Sequence, residues 1–217
     1  MSKVNLKEFE DLLELWKVLF TLDDSFYFKI LLELNLDSLD SIATYRYIIR
    51  FLELWGVRQS AIKLNPQELC RKIIEFKPIL NELETSLIYT NLNEVKTKIE
   101  YAFESFSSIK YVGPTSASKI LHLLKPSFFV MWDRAIAKYY ECDMTMEGYF
   151  NFLTEMKDAI NTLLKQYSEK YLNEKPEEAL SRKYGGKPLT KLIDEYNWLK
   201  TRIWLNKVIK LVKQGSF

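Results

Sequence analysis

The chain has 217 residues, enough for one large domain with its own core. An apolar share of 47% with 14% aromatics excludes a disordered chain, and only 6 glycines and 6 prolines exclude an all-β protein turning about every ten residues. The formal net charge of +2 is too small by itself to announce a nucleic-acid partner.

In chain order, residues 5 to 20 place Leu6, Phe9, Leu12, Leu13, Trp16, Leu19 and Phe20 at three- and four-residue spacings, which predicts a helix with one apolar face, capped by Asn5. Asp23-Asp24 marks a break, after which FYFKILLEL reads as a short helix. A longer helix is expected from Asp37 to Trp55, stopped by Gly56, which suits the left-handed cap. Asn65-Pro66 opens another, reaching about Phe76, where Lys77-Pro78 bends or restarts the chain. Residues 91 to 107 carry Val95, Ile99, Ala102, Phe103 and Phe106 on one face. Later helices are expected from Met144 to Lys170, from Pro176, and from Leu189 to Val212, with Gly185-Gly186 breaking the chain between the last two. The expectation is one all-α domain over 1–217 with about eight to ten helices.

No apolar run approaches the roughly 20 residues of a membrane span, and the acids in MSKVNLKEFEDLLELW do not suit a signal peptide, so a cytoplasmic protein with no membrane partner is expected. Cys70 and Cys142 lie far apart without a CxxC pattern, which indicates neither a disulfide framework nor a metal site; no metal and no cofactor is expected. From Arg182 to the end there are nine basic residues against two acidic ones. This basic segment, 182–217, reads first as a solvated face and second as a contact for a polyanion.

The most informative stretch is YVGPTSASKILHLLKPSFFVMWDRAIAKYY, residues 111 to 140. Residues 91–124 read as helix, turn and helix, with Gly113 expected where a side chain would obstruct and Pro114 at the entry of the second helix. The first N–H groups of that helix, around Thr115, Ser116 and Ala117, lack helical acceptors. With the hydroxyls of Thr115, Ser116 and Ser118 and the charge of Lys110 or Lys119, they are candidates to hold one phosphate without reading a base. Further on, the apolar run Phe128 to Trp132 delivers Asp133 to the start of the next helix, where an N-cap Asp ordinarily does no more than satisfy N–H groups.

Residues 109 to 140 resemble the helix-hairpin-helix glycosylase superfamily, the HhH-GPD DNA repair enzymes. In that family a Leu-Pro-Gly-Val-Gly hairpin is followed about twenty residues later by an essential Asp, and Gly113 and Asp133 keep the spacing. Ile109, Lys110, Tyr111, Val112 and Gly113 match the hairpin, with Ser116 and Ala117 as the small residues of the second helix. The resemblance implies an all-helical fold of two packed halves and a DNA partner held mainly through its phosphates. It also implies hydrolysis of the N-glycosidic bond of a damaged, flipped-out base, with Asp133 as the catalytic carboxylate. Two departures qualify this. Tyr111 replaces the first hairpin Gly, and Thr115 stands where members with lyase activity carry a Lys, which excludes a Schiff base at that position and leaves a monofunctional enzyme. Trp132, Phe128, Trp55, Tyr45 and Tyr47 are candidates to line a base pocket, although each is first a core residue; His122 is given no role. Two alternatives stand beside this reading: a non-catalytic helix-hairpin-helix DNA-binding protein, and an interaction protein whose basic tail docks on an acidic partner.

Overall fold

The computed structural model describes residues 4–34, 42–172 and 175–202. Within them the chain forms eleven α-helices and one short 3-10 turn, Leu87–Tyr89, with no strand. The all-α expectation holds, with one helix more than the upper count. Among the described residues no helix is long and apolar enough to cross a membrane.

Helix α1, Leu6–Leu19, starts where the Asn5 side chain accepts from the Lys7 and Glu8 amides. Helix α2, Thr21–Glu33, follows after Phe20 alone. The expected break at Asp23-Asp24 is corrected here: both positions lie inside α2, near its start. Helix α3, Ile42–Leu54, ends before Gly56, whose φ of +81° is the left-handed cap expected of it. The start expected near Asp37 lies outside the described residues.

A six-residue helix, α4 (Arg58–Lys63), has too short a period to be read from sequence. Helix α5, Pro66–Glu82, runs straight through Pro78 instead of ending near Phe76. An interior proline costs about 3 kcal/mol. Phe76 and Leu80, on either side of it, are both buried, and burial at roughly 1.5–3 kcal/mol for each large side chain outweighs that penalty.

The hairpin consists of α6, Leu92–Ser107, and α7, Pro114–Leu124, joined by residues 108–113. Helix α8, Arg134–Tyr139, is capped by Asp133. The long α9, Met146–Tyr171, packs against α1, α6, α10 (Pro176–Lys183) and α11 (Leu189–Lys200). Gly185 and Gly186, at φ +78° and +83°, turn the chain between the last two. The part of the last helix expected beyond residue 202 lies outside the described residues.

Two helices are buried almost all round. Every residue of α7 from Ser116 to Leu124 is buried, and so is every residue of α11 from Leu189 to Asn197. The polar groups they carry find partners inside. The His122 Nδ1–H donates to the Phe129 carbonyl at 2.7 Å, which leaves Nε2 to accept from the Tyr27 hydroxyl at 2.8 Å. The Lys191 ammonium lies 3.2 Å from Asp194 and 3.0 Å from Glu195, and Lys187 bridges Glu195 at 2.8 Å and Asp24 at 2.6 Å. Burial alone would lower the Lys191 pKa; the two carboxylates more than reverse it and hold it above the ordinary value.

Removing one partner from such a buried cluster leaves the others unbalanced. Lys191→Met should therefore lower unfolding free energy by about 3–5 kcal/mol in a denaturant titration, against about 1 kcal/mol or less for Lys175→Met, whose pair with Glu178 is exposed. Burial pushes His122 down to about 3, so the folded state holds it neutral where the unfolded chain takes up a proton. Its contribution is complete above the unfolded value of about 6.5 and is lost as pH falls below it, by about 1.4 kcal/mol per pH unit. Unfolding free energies measured between pH 7 and pH 4 should carry this slope, and a His122→Gln variant that still folds should lack it.

Candidate functional site

Asp133 opens onto a cleft of about 320 Å³. One wall is α7 and α8, through Thr115, Lys119 and Ile136; the other is α1, the end of α3 and α11, through Trp16, Trp55 and Trp198. Trp132 closes one side, with its Nε1–H on the Pro114 carbonyl at 3.3 Å. These walls are pinned: Trp55 stacks on Phe51 at 4.3 Å, and Trp16 meets Trp198 edge to face at 5.9 Å.

The Asp133 carboxylate is engaged but reachable. Its Oδ1 accepts from the Ala135 and Ile136 amides at 2.9 and 3.0 Å, as an N-cap should, and its Oδ2 accepts from Arg202 Nη2 at 2.5 Å. The side chain remains 20% exposed, so it is not sealed in the interior. Burial pushes its pKa up, but the Arg202 bond, the amide of Ile136 and the charge of Lys119 outweigh that and keep the carboxyl below its usual range. It is ionised at neutral pH. Arg202 in turn lies over the Trp198 ring at 4.8 Å.

Lys119 is buried at the same cleft, on the helical face it shares with Thr115 one turn earlier. Its ammonium donates to the Trp55 carbonyl. Burial lowers its pKa to about 8, with Asp194 and Asp133 opposing the shift and Arg202 and Lys191 adding to it.

The hairpin surface is narrower than expected. Lys110, Tyr111 and Gly113 are exposed and Thr115 is half-buried, whereas Val112, Ser116, Ser118 and Lys119 are buried. The Ser116 hydroxyl pairs with Ser60 of α4 at 2.7 Å, and Ser60 donates to the Tyr111 carbonyl at 2.6 Å. Ser118 donates to the Thr115 carbonyl at 3.0 Å and accepts from the Trp132 amide at 3.2 Å. Both serines brace the fold instead of facing a phosphate. The Ala117 amide is already bonded to the Gly113 carbonyl at 2.9 Å, so the unpaired helix N–H groups are those of Thr115 and Ser116.

Gly113 has an extended backbone, and a side chain there would meet nothing within 4 Å, so within the chain it is not an obstructed position. The left-handed residue is Tyr111, at φ +69° and 47% exposed, with Lys110 and Lys63 placed 5.2 and 5.4 Å from its ring centre.

Of the expected pocket aromatics, Trp55 and Trp132 line the cleft. Phe128 is wholly buried against Phe129, Tyr45 donates to the Leu64 carbonyl, and Tyr47 packs on the core, so these three serve the interior. Sequence reasoning missed Trp16, Asp194, Trp198 and Arg202. It treated 182–217 as a solvated face, whereas Lys183 pairs with Glu10 at 2.6 Å, Lys200 with Glu8 at 2.7 Å and Arg202 with Asp133, while Lys187 and Lys191 are buried. Lys207, Lys210 and Lys213 lie outside the described residues.

Arg202→Met should raise the Asp133 pKa towards or above the ordinary carboxylate range, read from the pH dependence of its carboxyl carbon in an NMR titration; an unmoved value would mean that the pair has little electrostatic weight. No family model, curated protein or solved structure matches this chain, and the case for its function rests on the geometry of the cleft and hairpin.

Proposed function

We propose that the chain is a monofunctional DNA glycosylase of the helix-hairpin-helix type, hydrolysing the N-glycosidic bond of a damaged base turned out of the duplex. The observation that carries this reading is an ionised Asp133 at an open, tryptophan-lined cleft, held by the segment that follows the α6–α7 hairpin. A cleft of about 320 Å³ is at the small end for ligand pockets, which suits a single base. Trp55 and Trp198 give the cleft an aromatic lining suited to a flat base.

As the base departs, positive charge develops on the sugar, and the Asp133 carboxylate stabilises it and orients the attacking water. The DNA backbone is taken by Lys110, Lys63 and Tyr111 together with the two open N–H groups at the start of α7. A phosphate near the cleft also competes for Arg202, releasing Asp133 for the reaction.

One observation favours the alternative of a non-catalytic DNA-binding protein: the 2.5 Å pair with Arg202 occupies one Asp133 oxygen in the free protein. The third reading, a tail that docks on an acidic partner, draws little from the described part of that tail, where five basic residues from Lys183 to Arg202 are held by carboxylates of this same chain.

Asp133→Asn keeps the cap and should leave folding and duplex binding intact while base release from single-lesion oligonucleotides, revealed by alkali, falls by orders of magnitude. Equal release by both proteins would end the catalytic reading, and binding without any release by the native protein would favour the alternative. Removing Lys63 and Lys110 together should reduce the slope of log K against log salt by about 1.8 for duplex DNA, whereas Ser116→Ala should leave it unchanged.

A further inference from the structure

Breaking an N-glycosidic bond puts an electron pair on the departing base. A base that is neutral in DNA leaves as an anion unless something supplies a proton, and Asp133, held ionised, has none to give. The cleft holds two cations among the described residues that line it, Lys119 and Arg202. A guanidinium does not give up its proton in proteins, and Arg202 is moreover tied to Asp133. Lys187 and Lys191, beneath the cleft, are each clamped by carboxylates within 3.2 Å. Lys119 differs from both. Its partner is the neutral Trp55 carbonyl, which takes one of three N–H donors and leaves two for a ligand.

We infer that Lys119 is the general acid of the proposed reaction: its ammonium, held at the cleft wall by the Trp55 carbonyl, protonates the departing base while Asp133 faces the sugar. The inference rests on the glycosylase reading and deepens it. In the step, the bond between C1′ and the base nitrogen breaks, its electron pair stays with the base, and a proton passes from Lys119 Nζ to a nitrogen or carbonyl oxygen of that base. Water adds to C1′, the proton it loses passes by way of Asp133 or solvent, and Lys119 is reprotonated from solvent. The net change is one water consumed, with free base and an abasic sugar formed.

The charged groups around Lys119 suit the role. Asp194 on α11 and Asp133 at the cap of α8 favour its protonated form; Lys191 on α11 and Arg202 disfavour it, and burial does so most. With a pKa of about 8 the amine is mostly charged at pH 7 and a far better acid than an exposed lysine. An acid of this kind matters only for a base that lacks a charge. A base made cationic by alkylation leaves as a neutral molecule without help.

The test compares single-turnover release of a neutral base, uracil or 8-oxoguanine, with that of cationic 7-methylguanine, by the native protein, Lys119→Met and Lys119→Arg. The arginine keeps the charge but cannot donate. Both variants should lose about 10²–10⁴-fold on the neutral base and less than about tenfold on the cationic one, and the native rate on the neutral base should decline above about pH 8. Equal losses on both bases, undiminished neutral-base release, or release of the cationic base alone by the native protein would overturn the assignment. So would a covalent adduct trapped by borohydride, which would make the amine a nucleophile. A native protein that releases no base at all would sink the glycosylase reading along with it, whereas an active native protein with unaffected variants sinks only the acid. In the free protein, the Lys119 ε-carbon should titrate near pH 8 by NMR; titration at the ordinary lysine value of about 10.4 would also overturn it.

Discussion

Much of this molecule follows from the burial of one helix that is not wholly apolar. α7 is enclosed from Ser116 to Leu124 yet carries two hydroxyls, an ammonium and an imidazole. A buried polar group without a partner costs about 1–3 kcal/mol, so each of the four must be met from a different direction. Ser116 reaches α4, Ser118 the backbone of Trp132, Lys119 the end of α3, and His122 both α2 and the Phe129 carbonyl. Apolar packing brings these elements together without fixing their register; the connections made by these four polar groups do that. The bond from Ser118 to the Trp132 backbone has the widest consequence, because it places Asp133 at the cleft one residue further on.

Beneath the cleft runs a second constraint, the alternation of charge from Asp24 through Lys187, Glu195, Lys191 and Asp194. Buried ion pairs are poor sources of stability compared with apolar packing, so the ladder is better understood as a device that orients α11. Lys191 also sits under Trp16 and Trp55, 4.8 and 5.6 Å from their rings, which ties the aromatic walls to the charges below. The cleft thus combines a packed aromatic frame with a carboxylate and an amine whose pKa values are both lowered, which holds the first charged and makes the second a stronger acid than an exposed lysine.

Where periodicity was long and the caps were explicit, the sequence was legible: Asn5, Asn65 and Asp133 all cap the helices expected of them. Local signals failed where tertiary packing overrode them. Lys77-Pro78 reads as a bend or restart after Phe76, and the helix continues through it with buried neighbours; Asp23-Asp24 reads as a break and lies inside a helix near its start. The site divides in the same way. Asp133 and the hairpin surface at Lys110 and Tyr111 are local features, visible in one stretch of chain. Trp16, Trp198 and Arg202 join them only because α1 and α11 pack together, a pairing across most of the sequence that no spacing rule reports. Lys119 was singled out for its charge and its nearness to the turn, but helical periodicity places it inside, one turn below Thr115.

The inward pairing of the basic stretch before residue 203 also changes how the molecule looks from a distance. Five of its cations are neutralised within a few ångströms, and a charge and its counter-charge so close together project little field beyond a Debye length of about 8–10 Å. Long-range steering by residues 183–202 is therefore weak, and the number of lysines and arginines in that stretch overstates the pull it exerts on a distant polyanion.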